Sequence, residues 1–177
     1  VVSTNAISAQ SVAVGDFNGD GHLDLASASE GDNKIAWYKN TDGLGTFGAQ
    51  IVVSTAASGA YSVAVGDFNG DGHLDLASAS YGDNKIAWYK NTDGLGTFGA
   101  QIVVSTNASG VRSVAVGDFN GDGHLDLASA SWGDNKIAWY NNTDGLGTFG
   151  TEIVVSTYAN GAQSVVVGDF NGDGHLD

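Results

Sequence analysis

Nine residues, Asp-Phe-Asn-Gly-Asp-Gly-His-Leu-Asp, occur four times in this chain, beginning at Asp16, Asp67, Asp118 and Asp169. Each string carries oxygen-bearing side chains at its first, third, fifth and ninth positions and a glycine at its sixth. Carboxylate and amide oxygens at that spacing, on a backbone free to turn sharply, form the donor set of a hard divalent cation of calcium's size. Three carboxylates held ~5 Å apart repel by roughly 3 kcal/mol per pair at an effective dielectric near 20, so such a loop needs a cation or protons. The sequence predicts calcium at about one ion per loop, four per chain.

The strings are spaced by 51 residues, which makes the repeat rather than the 177-residue length the unit to explain. Residues 1–51 and 52–102 differ at five positions, residues 52–102 and 103–153 at seven, and residues 154–177 begin a fourth copy. The whole of 1–177 reads as one tandem array. Its formal charge is −14, but 12 of its 20 acidic residues are the loop aspartates, and four divalent ions would leave only −6. A chain of that charge has no attraction for nucleic acid or for an anionic membrane. No stretch is apolar and long enough to span a bilayer. Cysteine is absent, so no disulfide framework exists. Loops of this type in extracellular modules work at about 10⁻⁴ to 10⁻³ M calcium, which places the expected site of action outside the cell, secreted or at a cell surface.

Within a repeat, apolar residues alternate with period two and are interrupted every eight to twelve residues by Gly, Asn and Asp. In the second copy this predicts strands over Ser62–Phe68, Leu76–Ser80, Lys85–Lys90 and Gln101–Thr106. The absence of proline and the β-branched and aromatic content agree. The fold class is therefore all-β: four-stranded antiparallel blades in tandem, about 3.5 repeats, stacked as in a β-propeller. An EF-hand would need a carboxylate at the twelfth position, where Ser27, Ser78 and Ser129 stand. A calcium β-roll would need its nonapeptides in direct tandem.

The Asp-x-Asn-x-Asp-Gly-x-x-Asp loop, the preceding Val-Ala-Val-Gly and the later Ile-Ala-Trp-Tyr resemble FG-GAP or VCBS repeats, which form calcium-binding propellers such as the integrin α-subunit head. That resemblance implies the ligands of each loop. In the first they are the side chains of Asp16, Asn18, Asp20 and Asp24 with the backbone carbonyl of His22. The equivalents are Asp67, Asn69, Asp71, His73 and Asp75, then Asp118, Asn120, Asp122, His124 and Asp126, then Asp169, Asn171, Asp173, His175 and Asp177. The histidine side chains are expected to face solvent. Trp37, Trp88 and Trp139, in phase with Ile35, Ile86 and Ile137, are expected to pack between blades.

Differences among the copies fall mainly in two places. After the second strand stand Glu30, Tyr81 and Trp132; before the first strand, Asn5, Ala56, Asn107 and Tyr158 correspond, as do Gln10, Tyr61, Arg112 and Gln163. In an up-and-down blade both places lie at the end opposite the calcium loop. Exposed aromatics beside arginine suit carbohydrate or protein recognition, which makes Tyr61, Tyr81, Arg112, Trp132 and Tyr158 ligand candidates. Three blades fit in the chain, preceded by a fourth strand at Val1–Thr4 and followed by a first strand and its loop. That is too few for a closed ring, so missing blades or further copies of the chain are expected partners. No cysteine nucleophile, phosphate loop or helical metal motif is present, so no enzyme is expected. The leading expectation is a calcium-dependent recognition or adhesion module for carbohydrate or a surface protein. The alternative is a structural repeat protein that assembles into an extracellular filament or matrix.

Overall fold

The computed structural model describes residues 1–177, as twelve strands and no helix. The first blade is β1 (Ala9–Gly15), β2 (Asp24–Ser29), β3 (Lys34–Tyr38) and β4 (Ile51–Ser54). The second is β5 (Ala60–Gly66), β6 (Asp75–Ser80), β7 (Lys85–Tyr89) and β8 (Ile102–Ser105). The third is β9 (Val111–Gly117), β10 (Asp126–Ser131), β11 (Lys136–Tyr140) and β12 (Ile153–Ser156). Each sheet is an antiparallel meander in chain order. β1 packs beside β5 and β5 beside β9, so the first strands converge as they do around the axis of a propeller.

Local chemistry sets the turns. Between the second and third strands, Asn33, Asn84 and Asn135 take φ of 57°, 56° and 58°, a left-handed conformation that asparagine tolerates better than most side chains. The second strands read Asp-Leu-Ala-Ser-Ala-Ser and are buried almost throughout. Small residues on both faces let a neighbouring blade approach from either side.

The core lies between blades rather than inside one. Phe17, Ile35 and Trp37 of the first blade join Val63, Leu76 and Tyr89 of the second in one buried cluster. Phe68, Ile86 and Trp88 join Val114, Leu127 and Tyr140 in the next. A single repeat has no core of its own, so stability comes from stacking.

The predicted strands of the second copy stand within two residues of those observed. Strand one begins and ends earlier than expected, because Phe68 belongs to the loop: its N–H bonds the carboxylate of Asp75 at 3.1 Å. Two expected strands are corrected. Val1–Thr4 and residues 163–168 carry no ladder, since a strand is made by its pairing and the third and second strands they would pair with are not among these residues.

Candidate functional site

The loop between β1 and β2 folds around its first aspartate. Asp16 Oδ1 accepts the N–H groups of Gly19 (2.8 Å) and Asp20 (3.2 Å), and Oδ2 accepts that of Gly21 (2.8 Å). Asn18 Oδ1 accepts from Asp20 and Asp20 Oδ1 from His22, both at 3.0 Å. The pattern recurs around Asp67, Asn69 and Asp71, around Asp118, Asn120 and Asp122, and around Asp169, Asn171 and Asp173. The ninth-position aspartate is the anchor. Asp24 is fully buried and accepts from Phe17 N (3.1 Å) and Asn40 N (2.8 Å), tying the loop to the turn after β3. Asp75 and Asp126 do the same, and Asp177 accepts from Phe170 N.

The donor set suits a calcium ion in kind: three carboxylates and an amide oxygen per loop. The sixth-position glycines turn at φ of 82°, 84°, 86° and 88°, with open space where a Cβ would stand. The carboxylates, however, are turned onto the loop's own N–H groups, and no three acidic or imidazole groups are gathered closely enough to hold an ion. The loop aspartates are pushed in opposite directions: a hydrogen bond from Lys39 holds the Asp20 carboxyl below the usual carboxylate range, whereas the buried ninth-position carboxyls are raised. Burial, reinforced by the charges of Asp71 and Asp67, pushes the Asp75 carboxyl up to about 6 against the N–H groups of Asn91 and Phe68; Asp24 and Asp126 shift the same way, burial again leading.

The loops differ at one neighbour. Lys39 and Lys90 reach Asp20 and Asp71 at 3.1 Å. The third copy has Asn141 there, whose amide oxygen accepts from Asn120 instead, leaving Asp122 without an ammonium.

The histidine side chains keep about two-fifths of their surface in solvent at His22 and His124, in line with the expectation, and also make a contact that it did not include. His22, His73 and His124 lie against Gly43, Gly94 and Gly145 of the turn between the third and fourth strands, where a Cβ would come within 2.6, 2.4 and 2.5 Å of the ring. Trp37 and Trp88 pack between blades, as expected, whereas Trp139 is only partly buried because no turn of a following blade covers it. Trp37 and Trp88 are 3% exposed, edge-on to Phe17 and Phe68 at 6.0 Å. Each lies beneath the turn of the following blade, under Gly96 and Gly147 respectively. Asn91 and Asn142 complete the junction by donating to the carbonyls of Phe17 and Phe68 at 2.8 Å. Sequence reasoning missed these asparagines, because their partners lie 74 residues away.

At the opposite end of each blade, the turn after the second strand meets the segment before the first: Tyr81 N donates to Gly59 O at 2.9 Å and Trp132 N to Gly110 O at 3.2 Å. The ladder between the first two strands is bulged there, and the extra residue is Gln10, Tyr61 or Arg112. A bulge frees its residue from pairing and re-aims the side chain. The structure thereby brings four of the five ligand candidates together. The Arg112 guanidinium lies 5.3 Å from the ring centres of Tyr61 and Tyr81 and 5.1 Å from that of Trp132. It also donates to Gln163, and its Nε is buried without a partner. The five lysines all pair with carboxylates; Arg112 pairs with none. Tyr158 stands apart, 94% exposed on its loop. At the first blade the equivalent residues, Gln10 and Glu30, hydrogen-bond each other at 2.7 Å.

The FG-GAP-like repeat model matches the chain three times, over residues 16–78, 67–129 and 118–177. No curated protein matches the sequence. Among solved structures, the chain is similar to an Agrocybe aegerita lectin described by its specific recognition of non-reducing terminal N-acetylglucosamine. The TM-score is 0.64 at 20% identity, over 94% of this chain and 45% of that one. It is also similar to BBS1N, solved in complex with ARL6DN, with a TM-score of 0.60 at 18% identity, over 93% of this chain and 49% of that one. The chain thus spans about half the length of either, and at these identities the likeness is one of fold.

Proposed function

Because this chain belongs to the FG-GAP-like repeat family, we propose that it is a calcium-stabilised, non-catalytic recognition module of propeller type, acting outside the cell on carbohydrate or on a surface protein. The observation that carries the reading is the cluster around Arg112. Residues that differ among otherwise near-identical repeats converge there on one rim, displaced by bulges, around a cation with no carboxylate partner. Aromatic faces stack on the apolar face of a sugar or on a planar side chain, and a guanidinium adds directed donors. The lectin of the same fold recognises a terminal sugar, which supports the carbohydrate arm.

Calcium's part is structural. The residues that would hold it are the aspartates and asparagine of each loop, with the backbone carbonyl of the histidine, and what it would supply is neutralisation of charge crowded between β1 and β2. At millimolar calcium and dissociation constants of about 10⁻⁴ to 10⁻³ M, mass action adds roughly 0.4 to 1.4 kcal/mol per loop. Over four loops that is about 2 to 6 kcal/mol, comparable with the stability of a domain. Action where calcium is millimolar, in secretion or at a cell surface, follows from the same figure.

The test is titration of the chain with immobilised glycans, terminal N-acetylglucosamine among them, following tryptophan emission. Binding that Trp132→Ala and Arg112→Ala abolish without a change in melting temperature supports the reading. Binding that survives both substitutions removes the assigned rim.

A further inference from the structure

The chain carries six lysine and arginine side chains against a formal charge of −14. All five lysines are spent on carboxylates, at Nζ–O distances of 2.7 to 3.1 Å. The sixth cation is Arg112, which bonds no carboxylate and lies within 5.3 Å of three ring centres. Rings packed about a guanidinium limit its freedom and its hydration, and both strengthen whatever it pairs with at its edge. Nη1 donates to the amide oxygen of Gln163, an exposed residue. Nε is covered and has no partner, whereas Nη2, equally unbonded within the chain, is not closed off from solvent. A fixed guanidinium with an open Nη edge is the half of a bidentate pair that a carboxylate completes.

The tyrosines of this rim are unspent as well. Inside the blades, Tyr38, Tyr89 and Tyr140 bond Ser27, Ser78 and Ser129 at 3.2, 3.2 and 3.3 Å, whereas the hydroxyls of Tyr61 and Tyr81 make no hydrogen bond within the chain. The first blade shows the same place with its own carboxylate in it: Glu30, at the register of Trp132, accepts from the bulged Gln10 at 2.7 Å. There the chain supplies the acid. Beside Arg112 it has to come from a ligand.

We infer that the Arg112 rim takes an acidic saccharide, a sugar whose ring bears a carboxylate. The inference rests on the reading of this rim as a recognition site and names the chemistry of what it recognises. The carboxylate pairs with Nη2 and, in place of the Gln163 amide oxygen, with Nη1, exchanging a neutral acceptor for a charged one. The C–H face of the same ring lies on Trp132, which is 44% exposed, and the hydroxyls of Tyr61 and Tyr81 meet those of the sugar. In a hexuronic acid the carboxylate is attached directly to the ring, so charge and apolar face fall within one ring's width. That matches the 5.1 Å between the guanidinium and the Trp132 ring. An acidic peptide would satisfy Arg112 with one side chain and need another to cover Trp132. The negative charge of the whole chain confines the attraction to this place, since every lysine is already paired.

The test is isothermal titration of the 177-residue chain with three probes: a disaccharide ending in glucuronic acid, its carboxyl-reduced counterpart ending in glucose, and an acidic peptide. The acidic sugar is expected to bind at least ~tenfold more tightly than the neutral one, with an advantage that shrinks in high salt. Arg112→Gln installs the residue that the first and fourth copies carry at this register, so circular dichroism is expected to stay unchanged while the advantage vanishes. Trp132→Glu, which supplies the first blade's carboxylate, is expected to weaken the acidic sugar more than Trp132→Gln does. Equal affinity for the two sugars, lost in Arg112→Gln, overturns the acidic class and leaves the rim standing. Sugar binding that survives Arg112→Gln combined with Trp132→Ala removes the rim itself. Binding of the peptide alone, binding of no probe, or equal losses in the two Trp132 variants also overturns the inference.

Discussion

The two rims of this array obey different constraints. On one, the loop after the first strand and the turn after the third are interlocked: Asp24, Asp75 and Asp126 bond both segments, the histidines pack on the turn glycines, and that turn roofs the tryptophan of the preceding blade. These anchoring residues each touch a second element, and none of them differs among the copies. On the other rim the bulged residue and the one after the second strand touch chiefly each other. Gln10 with Glu30 serves at one blade, and Tyr61, Tyr81, Trp132 and Arg112 at the next two. A position that accepts such different chemistry is free to be chosen for a ligand. Interlocked anchoring contacts and freely varying positions are thus separated by the length of a strand.

That separation can be broken at several points. The largest expected effect is from chelation: EGTA should lower the melting temperature by roughly 5 to 20 °C in a scan at millimolar calcium, the share of four loops in a chain of this size. An unmoved melting temperature would remove calcium from the account. Next is Gly96→Ala, which combines a positive φ with a methyl driven into Trp37. About 3 kcal/mol or more of destabilisation is expected in urea, against about 1 kcal/mol for Gly72→Ala, where only the backbone objects. Asn91→Ala should cost about 1 to 3 kcal/mol by orphaning the Phe17 carbonyl and two N–H groups of the turn. Asn40→Ala, which bridges no junction, should cost less in the same assay.

A smaller effect concerns acid. The N–H of Leu95 and the hydroxyl of Thr97 hold the Asp93 carboxyl below the usual carboxylate range, and Leu146 and Thr148 do so for Asp144. A depressed carboxyl contributes stability that is present above its unfolded value near 3.8 and lost as pH falls through the folded one. Replacing both residues by Asn should therefore flatten the decline of melting temperature below pH 4. Smallest of all in stability is the variable rim. Trp132→Ala should change unfolding by no more than about 0.5 to 1 kcal/mol while removing ligand binding. A large loss of stability there would erase the distinction between the rims.

Much of the fold was legible because the repeat is written three times in full and once in part. Alternating apolar residues and regularly spaced Gly, Asn and Asp locate four strands per unit, and a nine-residue string with three aspartates locates the loop, since strand pattern and turn chemistry are local properties. The packing of Trp37 and Trp88 followed from their phase with Ile35 and Ile86. What local pattern could not carry was decided by neighbours 51 or 74 residues away. Asn91 is an ordinary turn asparagine until a second blade puts the Phe17 carbonyl beside it, and Gly43, Gly94 and Gly145 look like any turn glycines until histidine rings lie across them. Arg112 is one difference among seven until bulges on adjacent first strands set it among three rings. Composition and spacing thus determined the blade and the chemistry of its loops. Only stacking decided where the core lies, which loop atoms are spent on backbone donors and which side chains meet on the free rim, because those depend on distances between segments that no single repeat contains.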